Sequence, residues 1–102
     1  MERLTKTGTL VHGLKVGEQV HKEFELREAL AGDYFAAEGD ATGARPMTYR
    51  AALVARQLVR MGTFQGPFTL EMISKLKGAD LSRLLTVQQE LDREGEDEQL
   101  GD

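Results

Sequence analysis

The stretch VHKEFELREALAGD, residues 20–33, decides the fold. Val20, Phe24 and Leu26 share one parity, with Lys22 the exception, and His21, Glu23, Glu25 and Arg27 share the other. That is the period of a strand with one face in a core and one in water. At Glu28 the alternation stops, Gly32 and Asp33 punctuate the chain, and Tyr34, Phe35, Ala36, Ala37 and Glu38 read as helix. The strand therefore feeds a short helix, starting at about Glu28 or Asp33 and running to Glu38.

Upstream, Leu10, Leu14 and Val16 share a parity with His12, and Gly17, Glu18 and Gln19 supply turn chemistry, so residues 9–27 read as a β-hairpin. Met1 to Thr7 shows no clear period and is either a lead-in or the start of a strand. For Leu10, Leu14 and Val16 to face the same side as Val20, Phe24 and Leu26, paired residue numbers must sum to an even number. A loop of three or five residues meets that condition. A two-residue Gly17-Glu18 turn puts Leu14 opposite His21 and Val16 opposite Gln19, and is rejected on this reasoning.

Downstream, Gly39 to Pro46 (GDATGARP) reads as a loop. Met47, Ala51, Val54, Leu58 and Met61 then step by four and three, the signature of a helix core stripe. Tyr49, Leu53, Arg56 and Arg60 fall on the opposite side of the same helix and form either an internal packing surface or a partner-binding surface. After Gly62–Pro67, Thr69 stands as N-cap ahead of Leu70, Ile73 and Leu76, with Glu71 and Lys75 at helix-pair spacing. Asp80 is placed to cap a last helix carrying Leu81, Leu84, Leu85, Gln88 and Leu91 and ending at Gly95. The fold class is α+β: an N-terminal β-hairpin, a short helix, and a C-terminal set of about three helices. Residues 1–94 form a single small domain and 95–102 an acidic flexible tail.

A chain of 102 residues buries one modest core, roughly 60 to 70 per cent of its unfolded surface. Its net charge of −4 is uneven: residues 90–102 hold seven carboxylates against Arg93, a net of −6, which leaves +2 for residues 1–89. That sign argues against nucleic acid as a partner. No apolar run approaches the roughly 18 residues of a membrane span, and there is no signal-peptide pattern and no cysteine, so the expectation is a cytoplasmic protein. Ser74 and Ser82, the only serines, lie in helical patterns without a nucleophile elbow, and His12 and His21 lie on opposite parities. The Gly39–Gly43 loop lacks the Gly-Lys-Ser/Thr ending of a phosphate loop. No catalytic, cofactor-binding or metal-ligating residue is assigned, and no cofactor is expected. A two-sided helix and an open hairpin edge lead us to expect a homo-oligomer.

The run HGLKVGEQVHKEFELREALAGDYFAAE, residues 12–38, resembles the tail assembly chaperones of contractile-tailed, Mu-like phages and prophages. Leu26 and Arg27 at the strand end, Asp33 leading the helix, and the later Asp80-Leu81 step in GADLSRLL carry the resemblance, which spans Gly8 to Arg93. Glu28 to Ala31 departs from it, where a Pro-Thr turn is expected. The resemblance implies a non-enzymatic assembly factor of the host cytoplasm, absent from the mature virion. Its implied roles are binding the tape measure protein, keeping that protein's hydrophobic helices soluble, and helping recruit tail tube protein. No catalytic residue is carried over, and the matched residues are expected to be structural first. The alternative is a small regulatory or nucleic-acid-binding protein using the Arg56 and Arg60 face, for which salt-dependent DNA binding is the mark.

Overall fold

The structure, a computed structural model, describes residues 4–41 and 45–100, with side chains as far as Glu96. The hairpin is present as β1 (Thr5–Val16) and β2 (Gln19–Arg27), followed by α1 (Ala31–Asp40) and α2 (Pro46–Gln57). Then come β3 (Leu58–Met61), α3 (Leu70–Ser74) and α4 (Gly78–Leu100). The strands form one antiparallel sheet in the order β1-β2-β3. The architecture is α+β, as expected. The centre of the expected loop, residues 42–44, and the lead-in residues 1–3 lie outside the described residues.

The hairpin register departs from the expectation in an informative way. Next to the turn the pairs are Leu14–His21, Lys15–Val20 and Val16–Gln19, so the two-residue Gly17-Glu18 turn rejected above is the turn that forms. Gly17 has φ +63°, which suits the first central position of such a turn. Farther out the pairs are Thr9–Glu23, Gly8–Phe24 and Lys6–Leu26, the even register expected. Between Thr9 and Leu14 the register shifts, so residues 10–13 make a bulge that changes parity partway along the strand. Leu10, Leu14, Phe24 and Leu26 are all buried in one core, whereas Val20, opposite Lys15, is 55 per cent exposed, contrary to expectation. Gly13 sits in the bulge at φ +94°, and a Cβ there would lie 2.7 Å from Val20 Cγ1 and 2.8 Å from the His21 carbonyl oxygen.

The second correction is β3. The stripe read as one helix from Met47 to Met61 is split: helix stops at Gln57, and Leu58 to Met61 pair with the far edge of β2 through Phe24–Met61, Glu25–Arg60 and Leu26–Leu58. Spacing by three and four does not distinguish a helix from a helix followed by a four-residue strand when no Gly or Pro marks the junction. The open edge of β2 decides it, because Leu58 and Met61 reach the same core from the strand. Met47, at the other end of the supposed stripe, is 54 per cent exposed.

The helices close the inner face of the sheet. Pro46 opens α2 at the position where its missing N–H costs nothing, and the Thr69 hydroxyl accepts the Met72 N–H at 3.2 Å as the expected cap of α3. Leu84, Leu85, Val87 and Leu91 of α4 are buried with Phe24, Leu26, Val54 and Met61. Helix α4 does not stop at Gly95 but continues to Leu100. A smaller cluster joins α1 to α2 through Ala37, Ala41, Ala52 and Leu53.

Candidate functional site

Two positions singled out in sequence, Asp80 and Arg27, anchor polar ties, and a third tie runs through Gln57. The first tie is Asp80. It lies in the first turn of α4 and is fully buried, but its carboxylate turns away from the helix and into the β1 bulge. There it accepts the backbone N–H of Val11 (2.7 Å to Oδ1), of His12 (3.1 Å to Oδ2) and of Gly13 (2.9 Å to Oδ2). Burial pushes the Asp80 carboxyl up, but these three donors together with the nearby His12 outweigh it, so the group is held below the ordinary carboxylate range. Asp80 therefore fixes the parity change in β1 rather than serving as a simple helix cap.

The second tie is Arg27. Its guanidinium forks onto Asp33 at 2.8 and 3.0 Å and donates also to the carbonyl oxygens of Glu28 (3.2 Å) and Arg56 (2.8 Å). Asp33 in turn accepts the Leu30 N–H at 2.8 Å, so the pair pins the end of β2 to the start of α1 and the end of α2. Third, Gln57 donates to the Arg27 carbonyl at 3.0 Å and accepts from Gln88 at 2.7 Å, joining α2 to α4 inside the core. No described buried side-chain polar atom lacks a partner. Of the residues that carry the family resemblance, Arg27, Asp33 and Asp80 make these ties, Leu26 is fully buried, and Leu81 packs at the core edge.

Tyr49, Leu53, Arg56 and Arg60 are not brought together on one helix face. Leu53 is 5 per cent exposed and packs between α2 and α1, with Tyr49 half-buried beside it. Arg56 projects to Asp40 at the end of α1, with contacts of 2.9 and 3.0 Å. Arg60 lies in β3 on the sheet, 2.9 Å from Glu23 and 3.2 Å from Glu25. Each of these carboxylate hydrogen bonds raises the pKa of its guanidinium. Both arginines are thus committed to carboxylates of their own chain.

The residues that sequence reasoning passed over are on α1. Leu30 and Tyr34, four apart, and Phe35 beside them leave their apolar bodies in water, with Phe35 70 per cent exposed. In sequence Tyr34 and Phe35 mark a helix, and their exposure becomes visible only once α1 is packed on α2. Between the start of α1 and α4, Glu28, Ala29, Tyr34, Leu91, Asp92, Gly95 and Glu96 line a shallow cleft. Burial there, reinforced by Glu96 and opposed by Arg50, raises the Asp92 carboxyl above its usual range. Among the described residues no cluster of three or more His, Asp or Glu is placed to hold a metal ion, and no helix is long and apolar enough to cross a membrane.

The family model described as Tail assembly protein gp41 matches residues 10–101 of this chain. No curated protein and no solved structure matches it.

Proposed function

The chain belongs to the gp41 tail assembly protein family of Mu-like phages, and on that premise we propose that it is a non-enzymatic chaperone of the tape measure protein that also helps recruit tail tube protein. The observation that carries the reading is the uncovered apolar side of α1, formed by Leu30, Tyr34 and Phe35. A phenylalanine held in water forgoes about 1.5–3 kcal/mol that burial against a partner would return, and an apolar stripe on a short helix suits a long hydrophobic helix laid across it. The proposed contact surface lies on the outer side of α1, away from the Tyr49 and Leu53 face expected in sequence. In this reading Leu53 holds α1 against α2 from beneath with Tyr49 beside it, while Arg56 and Arg60 stay paired with Asp40, Glu23 and Glu25. Action before the particle is complete, in the host cytoplasm, follows from the same role.

Co-expression with the tape measure protein of a Mu-like phage tests the proposal. The wild-type chain should keep that protein soluble and co-purify with it, whereas Phe35→Asp should retain its helical circular dichroism and lose the complex. A tape measure protein that stays equally soluble alone and never co-purifies would sink the reading.

A further inference from the structure

We propose that a second copy of this chain docks the acidic end of its α4 into a cationic groove at the hairpin tip, so that copies add head to tail. The groove, an open cavity of about 440 Å³, is lined by the apolar Leu14 and Val20 together with Lys15, Lys75 and Lys77. Val20 is the apolar residue that the bulged register leaves exposed. Lys75 makes only a long 3.7 Å contact with Glu71 between two well-exposed side chains, and Lys15 and Lys77 form no ion pair among the described residues. Lys15 and Lys77 thus have no carboxylate partner among the described residues, and the one carboxylate beneath the groove, Asp80, is turned onto the backbone N–H groups of His12 and Gly13.

The opposite charge lies at the far end of the same helix. Lys6 engages Glu90 and Glu94 at 3.2 and 2.6 Å, but Glu96 is exposed and is followed in sequence by Asp97 and Glu98. This arrangement runs against the helix dipole, which favours carboxylates at the start and cations at the end. Here lysines stand just before the start of α4, its last turn holds no basic residue, and its only first-turn carboxylate is spent on the β1 bulge. Placing the end of one α4 against the start of another brings both mismatched ends together.

The same chain cannot make this contact. A continuous helix at about 1.5 Å per residue holds Glu96 about 27 Å from Gly78, so only another copy can supply the acidic end. Groove and acidic end are different surfaces, so the contact joins unlike patches of two copies and extends to further copies unless its rotation closes it. It uses neither α1 nor the tape measure protein, and stands or falls apart from the function proposed above.

Sedimentation of the full chain at low ionic strength, at about 100 μM, should give a mass average well above the 11.3 kDa of one chain, rising with concentration. It should return to one chain in 1 M salt, where the Debye length falls to about 3 Å. Lys15→Glu/Lys77→Glu has two like-charged ends and should stay monomeric, as should Glu96→Lys/Glu98→Lys, both with wild-type circular dichroism. Mixed in equal amounts, the two variants present opposite charges to one another and should associate again. A wild-type chain that remains monomeric at low salt overturns the proposal. So does association that survives either charge reversal, or folded variants that fail to associate when mixed.

Discussion

Replacing Asp80 with alanine tests the central tie. The carboxylate receives three backbone N–H groups at 2.7–3.1 Å, and leaving a buried donor without its acceptor costs about 1–3 kcal/mol. Val11 and His12 are on the exposed side of β1, so water can reach part of the bulge once the carboxylate is gone. We therefore take the lower part of the range, about 1 kcal/mol per donor, and expect Asp80→Ala to lose about 3 kcal/mol. In a domain of this size that lowers Tm by roughly 12–24 °C and removes a large part of a total stability of about 5–15 kcal/mol. Asp80→Asn, which keeps one acceptor oxygen but turns an NH2 group toward the donors, should fall between. The pH dependence has a definite sign. The folded carboxyl is depressed below its unfolded value of about 3.9, so its contribution is complete above that value and is lost as pH falls through the folded one. Thermal melts at pH 7 and in acid check both points. If Asp80→Ala melts within about 2 °C of wild type at pH 7, the bulge does not depend on the carboxylate and the reasoning fails.

Leu53→Asp and Leu58→Asp should both unfold the chain, each burying an unpaired charge at a cost of several kcal/mol; a folded Leu53→Asp by circular dichroism would contradict the packing of α1 on α2. Arg27→Lys keeps the charge but not the fork onto Asp33 or the reach to the Arg56 carbonyl, and should lose about 1–2 kcal/mol in urea unfolding. Asp92→Asn should raise Tm by a few degrees at pH 7, because a raised carboxyl pKa means that the charged form is the destabilised one. That advantage should vanish below about pH 4, where both chains are neutral at this position.

Much of the fold was legible because local pattern and tertiary environment agreed. The Thr69 cap, the α4 stripe through Leu84 and Leu91, and the pairing of Phe24 and Leu26 in the core all follow from spacing and residue type. What was not legible depends on distant partners. The parity change in β1 rests on a carboxylate 67–69 residues away, and an alternation rule that assumes a constant register cannot see it. β3 exists because an edge of β2 was free, not because Leu58 to Met61 favour strand over helix. Helix α4 runs past Gly95 although glycine costs about 1 kcal/mol in a helix; Lys6 bridges to Glu90 and Glu94 just before it, holding that turn against the sheet. As for the surface, Arg56 and Arg60 looked available only because Asp40, Glu23 and Glu25 lie far from them in sequence.

The distance along the chain between Gly13 and Asp80 also sets a clock for synthesis. At about 5–20 residues per second, the 67 residues that separate them take roughly 3–13 s to translate. For that interval the nascent hairpin carries a bulge with no acceptor for its three N–H groups, and Leu10 and Leu14 have no α4 to cover them. The first strand is thus made early and locked late.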